Sequence, residues 1–172
     1  MKIIEAMKKI KDLTVKAADL REKVGKHCSD LSIETPTYPP DQRAKIDEWI
    51  QSHHDVLKEI EHLRLGIQRT NILTPATIEL DGKTLTKPIA AWIHRRRDLA
   101  TQEMNMWVKL SDRGLKESNV QTVQGGAVTE VRIRRYFDPA QRDKMHEQFR
   151  SEPFVIDGTL EVINATTDLI EG

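Results

Sequence analysis

Residues 31–41, Leu31-Ser32-Ile33-Glu34-Thr35-Pro36-Thr37-Tyr38-Pro39-Pro40-Asp41, separate two long helical patterns and thereby decide the fold. The three prolines exclude helix across this linker because proline lacks a backbone N–H and its ring clashes with the preceding turn. Apolar residues recur at spacings of three and four over residues 2–30 and again over residues 41–71. The pattern predicts a long antiparallel helical hairpin within residues 2–74, about 45 Å in length.

The next segment, residues 75–116, is expected to hold a short ribbon and a third helix. Asp81-Gly82, a favoured two-residue hairpin turn, lies between apolar residues of period two and predicts a ribbon over residues 76–86. Thr86 is expected to cap the following helix, with Pro88 in its first turn, where a missing N–H costs nothing. Helical spacing then continues to about Leu110.

This third helix carries the basic run Arg95-Arg96-Arg97. The helical spacing places Arg96 and Glu103 on the inward face and leaves Arg95 and Arg97 in solvent. We therefore expect an interior Arg96–Glu103 ion pair, which would need full pairing to be tolerated.

Residues 117–137 are predicted to form a β-ribbon arm. Gly125-Gly126 lies between two runs rich in Val, Thr and Gln, which is a hairpin signal. The returning strand alternates apolar residues with Glu, Arg and Tyr, so one face is apolar and the other is polar. The edges of such a ribbon stay open unless another element pairs with them. The residues expected to make the contacts of this arm are Val120, Val123, Val131, Arg132, Ile133, Arg134 and Tyr136.

Residues 138–172 are predicted to be a C-terminal helical segment. Asp138 as cap and Pro139 at the first helical position begin a helix over 139–150, and Ser151-Glu152-Pro153 restarts a last one over about 152–166. Apolar residues lie on more than one face of that last helix, which predicts burial on several sides. The whole chain, residues 1–172, is thus predicted to be one α+β domain, mainly α.

Composition narrows the class of function. The chain has 172 residues with 27 basic and 27 acidic side chains, and this zero net charge argues against a general polyanion binder. The single cysteine, Cys28, excludes an intramolecular disulfide and a multi-cysteine metal site, and we expect it to be buried or half-buried. Charges interrupt the first nine residues and the longest apolar run is 89–93, so neither a signal peptide nor a membrane span is predicted. We expect a cytoplasmic chain or a component of an assembled particle, without membrane contact.

Common catalytic and cofactor motifs are missing from the sequence. It has no Gly-x-Ser-x-Gly, no Gly-x-Gly-x-x-Gly and no P-loop. His53, His54 and His62 share a helix but lack the four-residue spacing of a zinc site built on one helix. These observations favour a protein that is not an enzyme and that uses no cofactor and no metal.

Two asparagines, Asn71 and Asn164, fall at interior positions of their helices. With Arg96 and Glu103 they form a candidate polar core cluster. Buried amides can complete a hydrogen-bond network that specifies the fold, or they can line a small polar pocket. The second reading gives one alternative function, a small-ligand-binding protein or a hydrolase built around these four residues.

The arm also suggests a nucleic-acid-associated protein. Arg132, Arg134 and Arg135 lie close together on the returning strand. A two-stranded ribbon can enter a major groove. The zero net charge makes pairing of these arginines with Glu130 or with a neighbouring subunit the favoured interpretation.

Four short tracts, occurring in this order, resemble a family of small bacterial and phage-encoded helical proteins labelled septicolysin. They are Ile67-Gln68-Arg69-Thr70-Asn71, Leu80-Asp81-Gly82-Lys83-Thr84-Leu85-Thr86, Arg96-Arg97-Asp98-Leu99 and Ile163-Asn164-Ala165-Thr166-Thr167-Asp168-Leu169. The resemblance implies helices plus a β ribbon. It departs at the proline-rich linker, residues 35–40, which is longer, and at Ala165, where an aromatic residue is expected. The label implies a cytolysin, whereas the sequence carries no pore-forming pattern.

The favoured function is therefore a non-enzymatic structural or interaction protein. We expect it to self-associate as a homo-oligomer and to contact other protein subunits, as in a larger particle such as a phage virion. Apolar stripes on long helices with few aromatic residues should leave apolar surface uncovered after folding. The arm is the expected contact.

Overall fold

The structure is a computed structural model in which residues 1–121, 126 and 128–170 are described. Its elements are α1 (Ile3–His27), α2 (Gln42–Leu73), β1 (Pro75–Leu80), β2 (Lys83–Pro88), α3 (Ile89–His94), a π turn (Arg95–Leu99), α4 (Ala100–Val108), β3 (Ser118–Gln121), β4 (Val128–Val131) and α5 (Pro139–Thr166). The protein is α+β and mainly α, as predicted.

The helical hairpin is confirmed. Helices α1 and α2 pack along each other and bury one stripe from each. The side chain of Asp41 caps α2 by accepting a hydrogen bond from the Ala44 N–H at 3.0 Å. The buried residues of this core are Ala6, Leu13, Ala17, Leu20, Trp49, Val56, Ile60 and Leu63.

The proline-rich linker is fastened by aromatic packing. The ring of Tyr38 contacts His27 and Trp49 edge-on, with centroids 5.1 and 5.2 Å apart. The Gln42 amide donates to the His27 carbonyl at 2.8 Å. Cys28 is exposed, so the expectation of a buried or half-buried thiol is wrong: α1 ends at His27 and the cysteine lies beyond its buried stripe.

The first ribbon forms as predicted at its turn, since Asp81 and Gly82 both adopt positive φ angles, 49° and 70°. The expected helix start is wrong. Pro88 is the last residue of β2, and the Thr86 hydroxyl shares a 2.8 Å hydrogen bond with Thr77 instead of capping a helix.

The third helix is not continuous α-helix. Between α3 and α4 the chain makes a π turn, in which the Ala100 N–H donates to the Arg95 carbonyl five residues earlier. Each π turn inserts one extra residue into the helical register. Side chains after it are therefore out of phase with an α-helical extrapolation from Ile89.

The second ribbon is shorter than the predicted arm. Strands β3 and β4 pair antiparallel, with Ser118 opposite Val131 and Gln121 opposite Val128. Residues 132–138 belong to no strand. The prediction that Arg132, Ile133, Arg134 and Tyr136 continue the alternating strand is therefore wrong, while Val123 lies outside the described residues.

The C-terminal segment is one helix, α5, and not two. Pro153 lies inside it, although a proline removes one backbone hydrogen bond from the helix that contains it. Burial follows a single stripe spaced by four residues, and Phe154 and Val162 are 84% and 62% exposed. The predicted burial on several sides is therefore wrong. The buried residues of α5 are Glu152, Ile156 and Leu160.

The chain divides into two compact units. One contains Met1–Ala76, Lys87–Ala90 and the chain from Leu160 onward, and the other contains Thr77–Thr86 and Ala91–Thr159. The sequence pattern does not predict this division, and the expectation of one domain stays a prediction. None of the helices in the described part of the chain has the length and apolar character needed to cross a membrane.

Candidate functional site

The predicted interior Arg96–Glu103 ion pair is not formed, while the wider polar cluster stays a prediction. Arg96 is 43% exposed and pairs with Asp157, while Glu103 lies near Arg95. Asn71 and Asn164 are half-buried, and they belong to the other compact unit. The Oδ1 atom of Asn71 is buried without a hydrogen-bond partner among the described residues.

Arg95, which is half-buried, takes the inward position that was expected of Arg96. Its Nε–H and Nη2–H groups donate to the two carboxylate oxygens of Glu152 at 2.5 and 3.0 Å, and its Nη1 lies 3.6 Å from Glu103. The guanidinium also lies over the Phe149 ring, 5.3 Å from the centroid. The Arg95 side chain is 20% exposed and that of Glu152 is 6% exposed. The hydrogen bond to Glu152 raises the pKa of Arg95, against the opposing effect of burial.

The π turn explains the exchange of roles. In an α-helix residue 96 lies on the same face as residue 100, whereas a π turn places residues 95 and 100 on one face. Ala100 is completely buried, so Arg95 faces inward with it. Sequence reasoning also missed Glu152, which it treated as part of a break before Pro153.

The geometry of the Arg95–Glu152 pair suits a structural role rather than a catalytic one. Both oxygens of Glu152 accept hydrogen bonds from one guanidinium in the bidentate geometry typical of strong Arg–carboxylate pairs. A carboxylate held in this way is poorly placed to accept a proton from a substrate. We assign the pair to the packing of α5 against the π turn.

A cleft opens between the loop 109–115 and the loop 133–137, which is the last part of the predicted arm segment. Its volume is about 360 Å³. Arg135 holds the two loops together through two 2.6 Å hydrogen bonds to the carboxylate of Asp112. Arg142 of α5 supports the frame by donating to the Leu110 carbonyl at 3.1 Å and by packing over the Phe137 ring. We call this site the basic cleft. Its lining residues are Lys109, Leu110, Ser111, Asp112, Arg113, Leu115, Ile133, Arg134, Arg135, Tyr136 and Phe137.

Hydrogen bonds at the basic cleft lower the pKa of nearby carboxyl groups. The pKa of Asp112 is lowered chiefly by the hydrogen bond from Arg135. The pKa of Glu117 is lowered first by the backbone N–H of Ile133 and then by Arg132. Arg132 also bonds Glu130. Two of the three arginines that sequence reasoning assigned to nucleic acid, Arg132 and Arg135, are therefore paired within the chain.

A neighbouring depression of about 280 Å³ brings Ser111, Asp143 and His146 to one wall. These are the residue types of a nucleophilic triad. No hydrogen bond among the described residues joins His146 to either partner, and Asp143 accepts instead from Arg142 at 2.8 Å. The linked hydrogen bonds that activate a serine are therefore not formed.

Metal binding finds no support in the side-chain geometry. Within residues 1–121, 126 and 128–170, no group of three or more His, Cys, Asp and Glu side chains is arranged to hold an ion. The expectation that the protein uses neither metal nor cofactor stays a prediction.

The described residues of the arm are mainly on the surface. Val120, Val128 and Val131 are 48%, 55% and 41% exposed, and Tyr136 is 89% exposed. Ile133 is half-buried and Arg134 is exposed. The arm and the basic cleft are thus adjoining features of one compact unit.

No protein-family model, no curated protein and no solved structure matches this chain. The resemblance to septicolysin-labelled proteins therefore stays a prediction. Function has to be inferred from the geometry of the arm and of the cleft.

Proposed function

We propose that this protein is a non-enzymatic assembly subunit whose ribbon arm joins it to a second copy of the chain. The observation that carries the proposal is the exposure of the arm's apolar residues. All three described valines of β3 and β4 are more than two-fifths exposed. β-branched residues stabilise a strand mainly by packing, and the described residues leave about half of each of these valines uncovered.

The two ribbons of the protein differ in a way that supports this role. In β1, Ala76 and Ile78 are 7% and 2% exposed, so one face of this strand is covered, whereas β2 is exposed throughout. Strand β4 has exposed residues throughout. A two-stranded ribbon without a covered face is marginally stable in water. Addition of strands from a partner would stabilise the arm.

A second copy is the partner that fits best. Within the described residues, β3 and β4 form a two-stranded sheet, so each strand keeps one open edge. Two identical antiparallel edges can pair about a two-fold axis, because the same donors and acceptors face each other in both directions. Such pairing would join two ribbons into a four-stranded sheet, with Val120 and Val131 of both copies on one face and Val128 on the other.

Replacement of Val120, Val128 and Val131 by threonine tests the proposal. Threonine keeps the shape and strand preference of valine but carries a hydroxyl in place of one methyl group. We expect the wild-type chain to sediment as an oligomer and the triple variant to dissociate at least tenfold more readily. Val15→Thr is the matched control, because Val15 is 57% exposed on α1. A monomeric wild type, or equal dissociation of both variants, would contradict the proposal.

A further inference from the structure

The basic cleft concentrates positive charge in a chain of zero net charge. Four cationic residues, Lys109, Arg113, Arg134 and Arg135, line it with a single carboxylate, that of Asp112. The whole chain, by contrast, balances 27 basic with 27 acidic residues. A local excess of this kind attracts anions even when the protein as a whole does not.

Three of these cations are available to a ligand. Arg135 is held by Asp112, whereas the side chains of Lys109, Arg113 and Arg134 form no ion pair with any described residue. Their neighbour Arg132 is neutralised by Glu117 and Glu130. The Arg135–Asp112 pair joins the two loops, and the three remaining cations line the cleft.

An exposed aromatic ring lies beside these cations. Tyr136 lines the cleft and is 89% exposed, and it makes no ring contact with the described residues. Aromatic platforms next to cationic grooves are how proteins bind single-stranded nucleic acids without reading sequence, since every base has a face that can stack. The cleft volume of about 360 Å³ lies at the lower end of the range for ligand pockets, about 300–1,000 Å³.

We infer that the basic cleft binds single-stranded nucleic acid, with Lys109, Arg113 and Arg134 on successive phosphates and a base stacked on Tyr136. This activity goes beyond assembly. It also differs from the ribbon hypothesis, because two of the three arginines assigned to the ribbon, Arg132 and Arg135, are paired within the chain and β4 ends at Val131. Duplex binding would need a longer element that enters a groove, and the cleft is bordered by two short loops.

Fluorescence anisotropy with a labelled oligothymidine measures the binding directly. We expect Arg113→Gln with Arg134→Gln to weaken it at least about tenfold and to reduce the salt slope by about 1.4, since each contact with a single-strand phosphate contributes about 0.7. Tyr136→Ala should weaken binding about tenfold, while Tyr136→Phe should not, because stacking needs the ring and not the hydroxyl. Arg43→Gln with Arg64→Gln is the matched control, because both arginines are exposed on α2.

Several results would overturn the inference. They are absence of binding by the wild type, tighter binding of a duplex with the same sequence, and equal losses in the cleft and control variants. Efficient displacement of the oligonucleotide by polyglutamate would identify an acidic protein as the ligand instead. The mass of each variant is measured in parallel, so that loss of binding is distinguished from loss of assembly.

Discussion

Arg95 and Arg96 are sequence neighbours with different surroundings. Removal of Arg95 leaves the buried carboxylate of Glu152 without its partner, whereas Asp157, the partner of Arg96, is 53% exposed. We predict that Arg95→Ala lowers the free energy of unfolding by about 3–5 kcal/mol, and Arg96→Ala by less than about 1 kcal/mol. Urea denaturation measures both, and equal small losses would place Arg95 in solvent.

A double replacement separates the ion pair from general packing. In Arg95→Met with Glu152→Met no charge remains in the interior, and methionine fills much of the volume of both side chains. We predict that this variant recovers most of the stability lost in Arg95→Ala. A double variant as unstable as Arg95→Ala would show that shape, rather than charge, governs the site.

Thr70 fastens the C-terminal segment to α2. Its hydroxyl is fully buried, donates to the Gly66 carbonyl and accepts from the Ile170 N–H, both at 2.8 Å. Thr70→Val would leave that N–H without its acceptor, at a cost of about 1–3 kcal/mol. We predict faster hydrogen exchange of the Ile170 amide in Thr70→Val than in Thr70→Ser, which keeps the hydroxyl. Unchanged exchange in both variants would contradict this role.

Asp112 gives the frame of the basic cleft a defined pH dependence. Because Arg135 lowers its pKa below the ordinary 3.8, the pair contributes its full stability above that value and loses it as the pH falls through the lowered pKa. We predict that a carboxyl-carbon NMR titration finds Asp112 titrating below 3.8 in the wild type and higher in Arg135→Gln. Identical titrations would show that the pair does not form in solution.

At the scale of elements, the π turn adds one residue to the helix, and deletion of one residue should restore a continuous α-helix. Deletion of Arg97, which is exposed, would make residues 95 and 100 α-helical neighbours and keep Arg95 facing inward. We predict that this deletion changes the midpoint of thermal unfolding by only a few degrees. Deletion of Ala91 from α3 is the control, because it would turn Ile89 and Trp92, both fully buried, by about 100° relative to each other. Equal losses in the two variants would contradict the π-turn account.

The sequence predicts regular elements correctly where a residue type restricts the backbone conformation, as proline and glycine do. The three prolines of the linker predict the break between the two long helices. Asp81-Gly82 predicts a turn that requires positive φ at both residues, and both angles are positive. The sequence-based predictions are wrong where the folded chain departs from a local preference, such as the tendency of proline to end a helix. Helix α5 continues through Pro153, and the π turn shifts the register by one residue. Periodicity alone signals neither feature.

The candidate site was only partly predictable for a similar reason. The arm was found because a glycine pair and alternating residues indicate a hairpin. The basic cleft is formed by two irregular loops about twenty residues apart in the chain, and no period relates their side chains. Lys109 and Arg113 could therefore not be linked to Arg134 before the fold was known.

At the scale of the whole molecule, charge and apolar surface are separated around the arm. The valines of β3 and β4 are exposed apolar side chains, while the basic cleft offers charge and the aromatic rings of Tyr136 and Phe137. The proposed assembly through these valines and the proposed binding at the cleft therefore use different residues. We predict that the valine-to-threonine variant retains oligonucleotide binding per chain, measured by anisotropy. Complete loss of binding on dissociation would show that the cleft needs a neighbouring copy.

The mass of the purified chain in solution tests the central claim, self-association through the arm, most directly. Light scattering at micromolar concentration should give a multiple of the 19.8 kDa chain mass. A variant in which residues 119–133 are replaced by a short Gly/Ser linker should give the mass of a single chain, with its helical circular dichroism retained. A wild-type mass of one chain, or an unchanged oligomer after the replacement, would contradict the claim.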